Sequence, residues 1–477
     1  MIKKIDTSGF LFNNKSLIKL IIPLLIEQFL TLAVGLADSI MVSSVGEAAV
    51  SAVSLVDTVM ILIINVFAAI AAGGAIVAGQ ALGQKNQEKG SEVTEQVLLI
   101  SVVFSIVVMA LMYAMKSFIL NIVFGKIEAD VMSNANKYIL ITTASVPFIA
   151  IYNVGAAIYR GMGDSKTPMV TSFVSNLINI AGNATLIYGF KWGIEGAATP
   201  TLIARIISGI TMLILIGKKS NILHVRKYII RPNWTRIKQI LHIGIPYGLE
   251  NSMFQLGKII VISLVSTFGT PSITANAVSN NICAFAILGG MASNYALSAV
   301  AAQCVGAGDY RQVRYYTKKI ISVAYISTVL MNIVIVVALP LIMRVYNLSS
   351  DTAEYARNII IFHAICASIV WPAAFTLPSG LRAANDVTFS MIVSVISMWA
   401  FRVGCSYLLA YVFKLGVYSV WIAMIIDWIV RAIFFVARYR TDKWQRFKVN
   451  VKSNCDGQDF VNTSDDVFEN DNENSAE

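Results

Sequence analysis

The sequence predicts an all-α integral membrane protein, with twelve transmembrane helices in two parallel-repeat six-helix lobes around a central cleft. Three observations predict it. The 477 residues are 56% hydrophobic and only 13% charged, with a mean hydropathy of +0.69. A soluble domain cannot bury that much apolar side chain, whereas each spanning helix absorbs ~20 apolar residues. Second, the chain repeats itself. An offset of 223 positions puts Pro23 on Pro246, Glu27 on Glu250, Ser43 on Ser266, Gly46 on Gly269, Ala52 on Ala275, Gln80 on Gln303 and Gly83 on Gly306, with no gap. Polar and Gly positions carry that match, since apolar coincidences mean little in a greasy chain, and two like lobes imply a groove between them. Third, the basic residues are segregated. Of 37 Lys and Arg, 26 fall on the side that holds both termini, seven on the other, and four (Arg205, Lys258, Arg402, Arg431) inside spans. By the positive-inside rule both termini are cytoplasmic.

Residues 1–16 form a basic cytoplasmic tail with Lys3, Lys4 and Lys15. The apolar run from Leu17 is too long for a signal-peptide core and carries Pro23, Glu27 and Asp38, so it reads as a retained first span. The N-lobe occupies 17–217, with further spans near 50–81, 95–115, 138–159, 168–189 and 196–217. A basic cytoplasmic linker, 218–238, contains Lys218, Lys219, Arg226, Lys227, Arg231 and Lys238 around Pro232. The C-lobe, 239–437, has spans near 239–267, 273–303, 318–343, 355–379, 388–413 and 416–437. The tail, 438–477, is rich in Asn, Asp and Glu from about Asn450 and is expected to be disordered. Six spans per lobe is even, so the second lobe enters the membrane with the polarity of the first. The repeat axis then runs along the membrane normal, and a cleft between the lobes opens to either side by rocking.

Several function classes are excluded. The net charge of +10 is explained by topology, which leaves no nucleic-acid partner. Cys283, Cys304, Cys366, Cys405 and Cys455 are odd in number and never in C-x-x-C, and His224, His242 and His363 are dispersed, which argues against a disulfide framework or a metal cluster. Gly161-Met162-Gly163-Asp164 matches the GxGD of intramembrane aspartyl proteases, but no second Asp stands at like depth on another span. There is no H-E-x-x-H, G-x-S-x-G or phosphate-cradling loop, so the chain is expected to be neither an enzyme nor ATP-driven, and to need no cofactor.

Within spans, side chains carry the information, because each helix satisfies its own backbone. An ionisable group there costs ~2.5–3.5 kcal/mol on insertion scales and marks a cavity or a pair. Glu27 and Asp38 are eleven residues apart, which returns a helix to within ~20° and separates them by ~16 Å along one face. Asn176, Asn179 and Asn183 form a stripe on span 5, one turn after Ser172, with Asn153 on span 4 as a facing candidate. The stripe reads either as cavity lining or as interhelical glue. Asp38 is the candidate coupling acid, with Asn179, Asn183, Asn153 and Glu27 beside it; Glu27 is either a second acid or a packing residue. Cleft candidates are Glu250, Gln255, Lys258, Asn176 and Asp57, whose C-lobe counterpart is Asn280. Glu250 and Lys258 are poorly aligned for an intrahelical pair, so Lys258 is expected to meet a carboxylate across the cleft. Asp38 is replaced by Val261 in the second copy, which restricts the coupling chemistry to the N-lobe. Asp427 and Arg431 have ion-pair spacing and read as structural, as do Arg205 and Arg402.

Gly35-Leu36-Ala37-Asp38-Ser39-Ile40-Met41 with Gly46, the span-2 exit Gly79-Gln80-Ala81-Leu82-Gly83-Gln84-Lys85-Asn86, and the span-4 exit Arg160-Gly161-Met162-Gly163-Asp164 together resemble the multidrug and toxic compound extrusion (MATE) family. The second and third are echoed by Gln303-Cys304-Val305-Gly306-Ala307-Gly308-Asp309 and Leu381-Arg382-Ala383-Ala384-Asn385-Asp386. The resemblance covers roughly residues 15–440. It implies a plasma-membrane antiporter, with membrane lipids around it and a monomeric working unit, that exports small organic, often cationic, compounds in exchange for H+ or Na+. Asp38 matches the family's N-lobe acid and is where Na+ would sit if it is the coupling ion. The chain departs from the pattern at Asn183, where many proton-coupled members carry Asp, and at Gln255 and His363, near which the Na+-coupled branch carries carboxylates. The alternative within the same superfamily is a lipid-linked oligosaccharide or polysaccharide flippase, which needs several cations in the cleft to hold pyrophosphate.

Overall fold

The structure is a computed structural model that describes residues 9–446 except 124–127, 229 and 347. The acidic stretch after Asn450 and residues 1–8 lie outside the described residues. Among the described residues ten helices are long and apolar enough to span a membrane, and two bent pairs bring the total to twelve. In chain order they are α1 (Asn14–Ser43), α2 (Glu47–Gly83), α3 (Gln87–Ala114), α4 (Ala129–Thr143 and Val146–Gly161, bent by 49°), α5 (Lys166–Gly189) and α6 (Glu195–Ile216). The second lobe follows with α7 (Trp234–Phe268), α8 (Thr270–Ala286 and Leu288–Gly306, bent by 47°), α9 (Tyr310–Arg344), α10 (Ser350–Ala383), α11 (Val387–Tyr411) and α12 (Tyr418–Arg440). No strand occurs among the described residues. Asn13, Asn86 and Asn233 start α1, α3 and α7 by accepting from the backbone N–H three residues on, the N-cap arrangement that satisfies an otherwise orphaned donor.

The three larger apolar cores among the described residues set the shape. One combines both lobes: the starts of α1 (Leu17, Leu20) and α7 (Ile240, Ile243), and the ends of α2 (Ala78), α8 (Val305) and α12 (Phe435). The starts of α1 and α7 thus lie together, as a parallel repeat requires. The second core is N-lobe only (Val42, Ala52, Tyr138, Ile194) and the third C-lobe only (Val265, Ile282, Trp371, Trp421). The lobes therefore fuse at the end that carries the linker and part at the other.

The fused end is locked by the duplicated exits. Gln80 donates across the seam to the Ala383 carbonyl and to Asn385 Oδ1, both at 3.0 Å. Its counterpart Gln303 donates back to the Gly161 carbonyl at 2.7 Å. Gly83 and Gly306 let α2 and α8 touch here. A Cβ on Gly83 would collide with the Gln303 carbonyl, and one on Gly306 with the Gln80 carbonyl.

The linker is laced to α3. Arg226 pairs with Glu88 and Glu95 at 3.2 and 3.3 Å, and Arg236 with Glu92 at 2.9 Å. Part of the linker's positive charge is therefore met by α3, and α7 begins at Trp234, inside the segment that the sequence assigns to the linker. The segment ahead of α1 straps onto the other lobe: the Leu11 N–H donates to Gln312 and the Phe12 N–H to the Tyr316 hydroxyl, both at 2.9 Å.

Candidate functional site

Asp38 lies near the parted end of α1, half-buried. Asn183 Nδ2 donates to its Oδ1 at 2.8 Å. With the Asn179 amide turned so that its nitrogen faces the carboxylate, that nitrogen lies 2.8 and 3.2 Å from the two Asp38 oxygens, and its oxygen accepts from the Thr201 hydroxyl at 3.0 Å. One helix turn separates Asn179 from Asn183, so α5 offers two amides to one carboxylate. α5 then changes to a π-helical segment, Ala184–Gly189, immediately after Asn183. Such wider turns are frequent at functional positions. Among the described residues no Lys or Arg nitrogen stands within 4.0 Å of Asp38.

Asp57 belongs to the same cluster. It interacts electrostatically with Asp38, accepts from the Tyr138 hydroxyl at 3.4 Å, and shares with Asp38 the influence of Arg205. Arg205 is held by Ser145 Oγ at 2.9 Å. The N-lobe thus presents two carboxylates to one guanidinium.

Other predicted residues fall elsewhere. Asn153 donates to its own helix, at the Ile149 carbonyl, and makes no bond to Asp38. Asn176 leaves Nδ2 buried without a partner. Glu27 does not join Asp38. It is buried against Arg160 Nη2 at 2.6 Å, with the Tyr152 hydroxyl at 3.3 Å. Glu250 repeats that arrangement: Arg382 lies at 3.2 Å and Ser394 donates at 2.8 Å. The Glu27–Arg160 pair is capped by the Tyr295 ring from the other lobe, 4.6 Å from the guanidinium, and Arg382 lies 4.4 Å from the Tyr247 ring. Arg160 and Arg382, which the sequence places in cytoplasmic turns, are therefore buried ion-pair partners. Each neutralises a Glu that the sequence offers to the site, Glu27 as a second acid or packing residue and Glu250 as a cleft residue.

The C-lobe counterpart of the Asp38 cluster is basic. Asp427, fully buried, accepts from Arg431 Nε at 2.8 Å and from Ser397 at 2.5 Å, and lies 3.8 Å from Arg402 Nη1. Arg402 and Arg431 stand 5.3 and 5.4 Å from the centre of the Phe254 ring. Lys258 Nζ stands 5.8 Å from it. No carboxylate within 4.0 Å answers Lys258 among the described residues, so the expected partner across the cleft is not there. Gln255 is half-buried one residue beyond Phe254. His363 is packed edge-on against Trp421 and Trp428, with ring centres 5.8 and 5.5 Å away. Among the described residues no three His, Cys, Asp or Glu side chains gather as metal ligands.

Asp427→Asn is expected to destabilise the fold by about 3–5 kcal/mol, because it strands buried Arg431 and Arg402 without a countercharge. A thermal-unfolding midpoint in detergent that matches the wild type would rule this out.

The residues that sequence reasoning missed are Arg160, Arg382, Gln80 and Gln303. Their signal was present, since each sits in a motif that occurs in both halves, but spacing gives no partner across a lobe boundary.

Comparison with known proteins is consistent with this architecture. The family model described as MatE matches twice, over residues 23–185 and 246–408, the 223-residue offset of the repeat. A probable multidrug resistance protein NorM of Thermotoga maritima is 23% identical over 440 residues, covering 91% of this chain and 93% of the relative. A probable multidrug resistance protein YoeA of Bacillus subtilis is 27% identical over 417 residues, covering 86% and 89%. Among solved structures, one described as the outward-facing conformation of a multidrug resistance MATE family transporter superposes with a TM-score of 0.85 at 20% identity, covering 91% of this chain and 96% of that one. A MATE structure in the bent conformation gives 0.82, with the same coverage.

Proposed function

Because the chain belongs to the MatE family and is a multi-pass membrane transporter rather than an enzyme, we propose that it exports small organic compounds, including drugs, across the cell membrane in exchange for protons. Both termini lie in the cytoplasm, one chain is the working unit, and its lipid contacts are those of any bundle with apolar outer faces. The relatives named for multidrug resistance support the substrate class. One observation carries the coupling: Asp38 is half-buried, free of any ion pair among the described residues, and bonded by two Asn amides at the end where the lobe cores separate.

Asn183 turns its amide nitrogen toward the carboxylate, and Asn179 does so in the amide orientation that satisfies both its oxygen and its nitrogen. Donors suit an acid that alternates between protonated and charged forms. A Na+ site needs converging oxygens, and Asn183 supplies one only if its amide reverses. Alternating access then follows from two lobe arrangements with different affinities for proton and substrate. The fused end faces the cytoplasm by the positive-inside rule, so the described arrangement is open outward.

A second reading, transport of a lipid-linked oligosaccharide, is favoured by one observation: Lys258, Arg402 and Arg431 gather around Phe254.

Proteoliposomes loaded with a fluorescent organic cation separate the possibilities. An imposed pH gradient alone is expected to drive uptake or release, and an imposed Na+ gradient alone to drive neither. Transport under Na+ alone would overturn proton coupling, and transport under neither gradient would overturn antiport.

A further inference from the structure

The two half-sites carry opposite charge. In the N-lobe, Asp38 and Asp57 outnumber Arg205. In the C-lobe, Lys258, Arg402 and Arg431 outnumber Asp427. The 223-residue offset puts Arg402 on Asn179 and Lys258 on Gly35. Arg402 therefore stands at the position of an amide beside Asp38, and Lys258 about one turn before the position of Asp38 itself.

Three cations sharing one carboxylate at this depth are electrostatically incomplete. Asp427 is committed to Arg431 at 2.8 Å and reaches Arg402 only at 3.8 Å. Arg402, 9% exposed, leaves its Nε without a hydrogen-bond acceptor. Among the described residues the Lys258 ammonium has only the Phe254 ring beside it. A ring face offsets only part of what desolvating an ammonium or guanidinium costs. An anion seated between Lys258 and Arg402 would complete the set, and a planar carboxylate or a phosphate would take the guanidinium edge that Asp427 leaves free. Phe254 and Phe375, whose rings lie 6.4 Å apart, offer that anion's body an aromatic wall.

We propose that Lys258 and Arg402, gathered at the Phe254 ring in the C-lobe, bind the anionic oxygens of an aromatic organic acid. This rests on the export reading above for the existence of an exported compound, but its test is a binding equilibrium without any gradient, so either can fail alone.

The full-length protein in detergent is titrated with 1-naphthoate, with its uncharged amide 1-naphthamide, and with a short-chain phosphatidate as the lipid-headgroup arm. The site is expected to bind 1-naphthoate at least tenfold more tightly than the amide. Lys258→Gln should weaken that binding at least tenfold, and Lys258→Arg should restore it. Competition by phosphatidate at lower concentration than 1-naphthoate would assign the same anion site to a lipid headgroup, and weaker competition to the soluble acid. Equal binding of 1-naphthoate and the amide, or an unchanged affinity in a Lys258→Gln protein with wild-type melting temperature, overturns the proposal.

Discussion

Asp38→Asn is expected to reduce export to the level of protein-free liposomes while the protein still folds. The two halves of that expectation have separate causes. Transport fails because an amide at this position neither binds nor releases a proton, whereas Asp38 is the one acid at the parted end that two neutral amides hold without a cation within 4.0 Å among the described residues. Folding survives because the substitution strands no buried charge. Arg205 is near enough to feel Asp38, but its own bond goes to Ser145. The amide keeps the carboxylate's shape, and rotation of the new group lets it bond Asn179 and Asn183 in turn. The stability change should stay below about 1 kcal/mol. This sets Asp38 apart from Asp427, whose neutralisation leaves two guanidinium groups unanswered. The measurement is drug resistance in cells and transport in proteoliposomes, normalised to folded protein. Full resistance from a well-expressed Asp38→Asn protein would remove Asp38 from the mechanism.

The contrast shows what the sequence could and could not carry. Span number and repeat were legible because they rest on composition and on identities such as Pro23 with Pro246, which need no knowledge of packing. The Asp38–Asn183 bond joins helices that no periodicity relates. The α5 stripe still pointed to it, since two Asn one turn apart on an apolar helix need an acceptor and α1 carried one. Glu27 and Asp38 share an ideal helical face, yet they part because each finds a different neighbour: Arg160 on α4 for the first, Asn183 on α5 for the second. Helical geometry fixes direction, and neighbouring helices fix partners. The same limit hid the C-lobe cluster. Lys258, Arg402 and Arg431 come from α7, α11 and α12, and only the packed lobe brings them around Phe254.

Gly83→Ala combined with Gly306→Ala is expected to prise the fused end open. Each new methyl would meet a backbone carbonyl of the opposite lobe, Gln303 for the first and Gln80 for the second. Backbone at a helix contact cannot turn aside as a flexible side chain can, so the helices must separate. Overpacking of this kind costs about 1–3 kcal/mol per site, and each 1.4 kcal/mol changes an equilibrium about tenfold. The separation also breaks the crossed bonds from Gln80 to Ala383 and from Gln303 to Gly161, which hold only while α2 and α8 touch. Both effects act against the fused arrangement alone, so the pair shifts the population toward the opposite opening. Ala302→Cys, at a fully buried position whose side chain faces Gly79 of the other lobe, supplies a reporter of the change. With the other cysteines replaced, its rate of maleimide labelling should rise at least tenfold in the double variant. Gly189→Ala, where a Cβ meets nothing within 4 Å, should leave it unchanged. A labelling rate equal to the parent in the double variant would mean that the seam is not the element that opens, and that the lobes exchange access by some motion other than parting at α2 and α8.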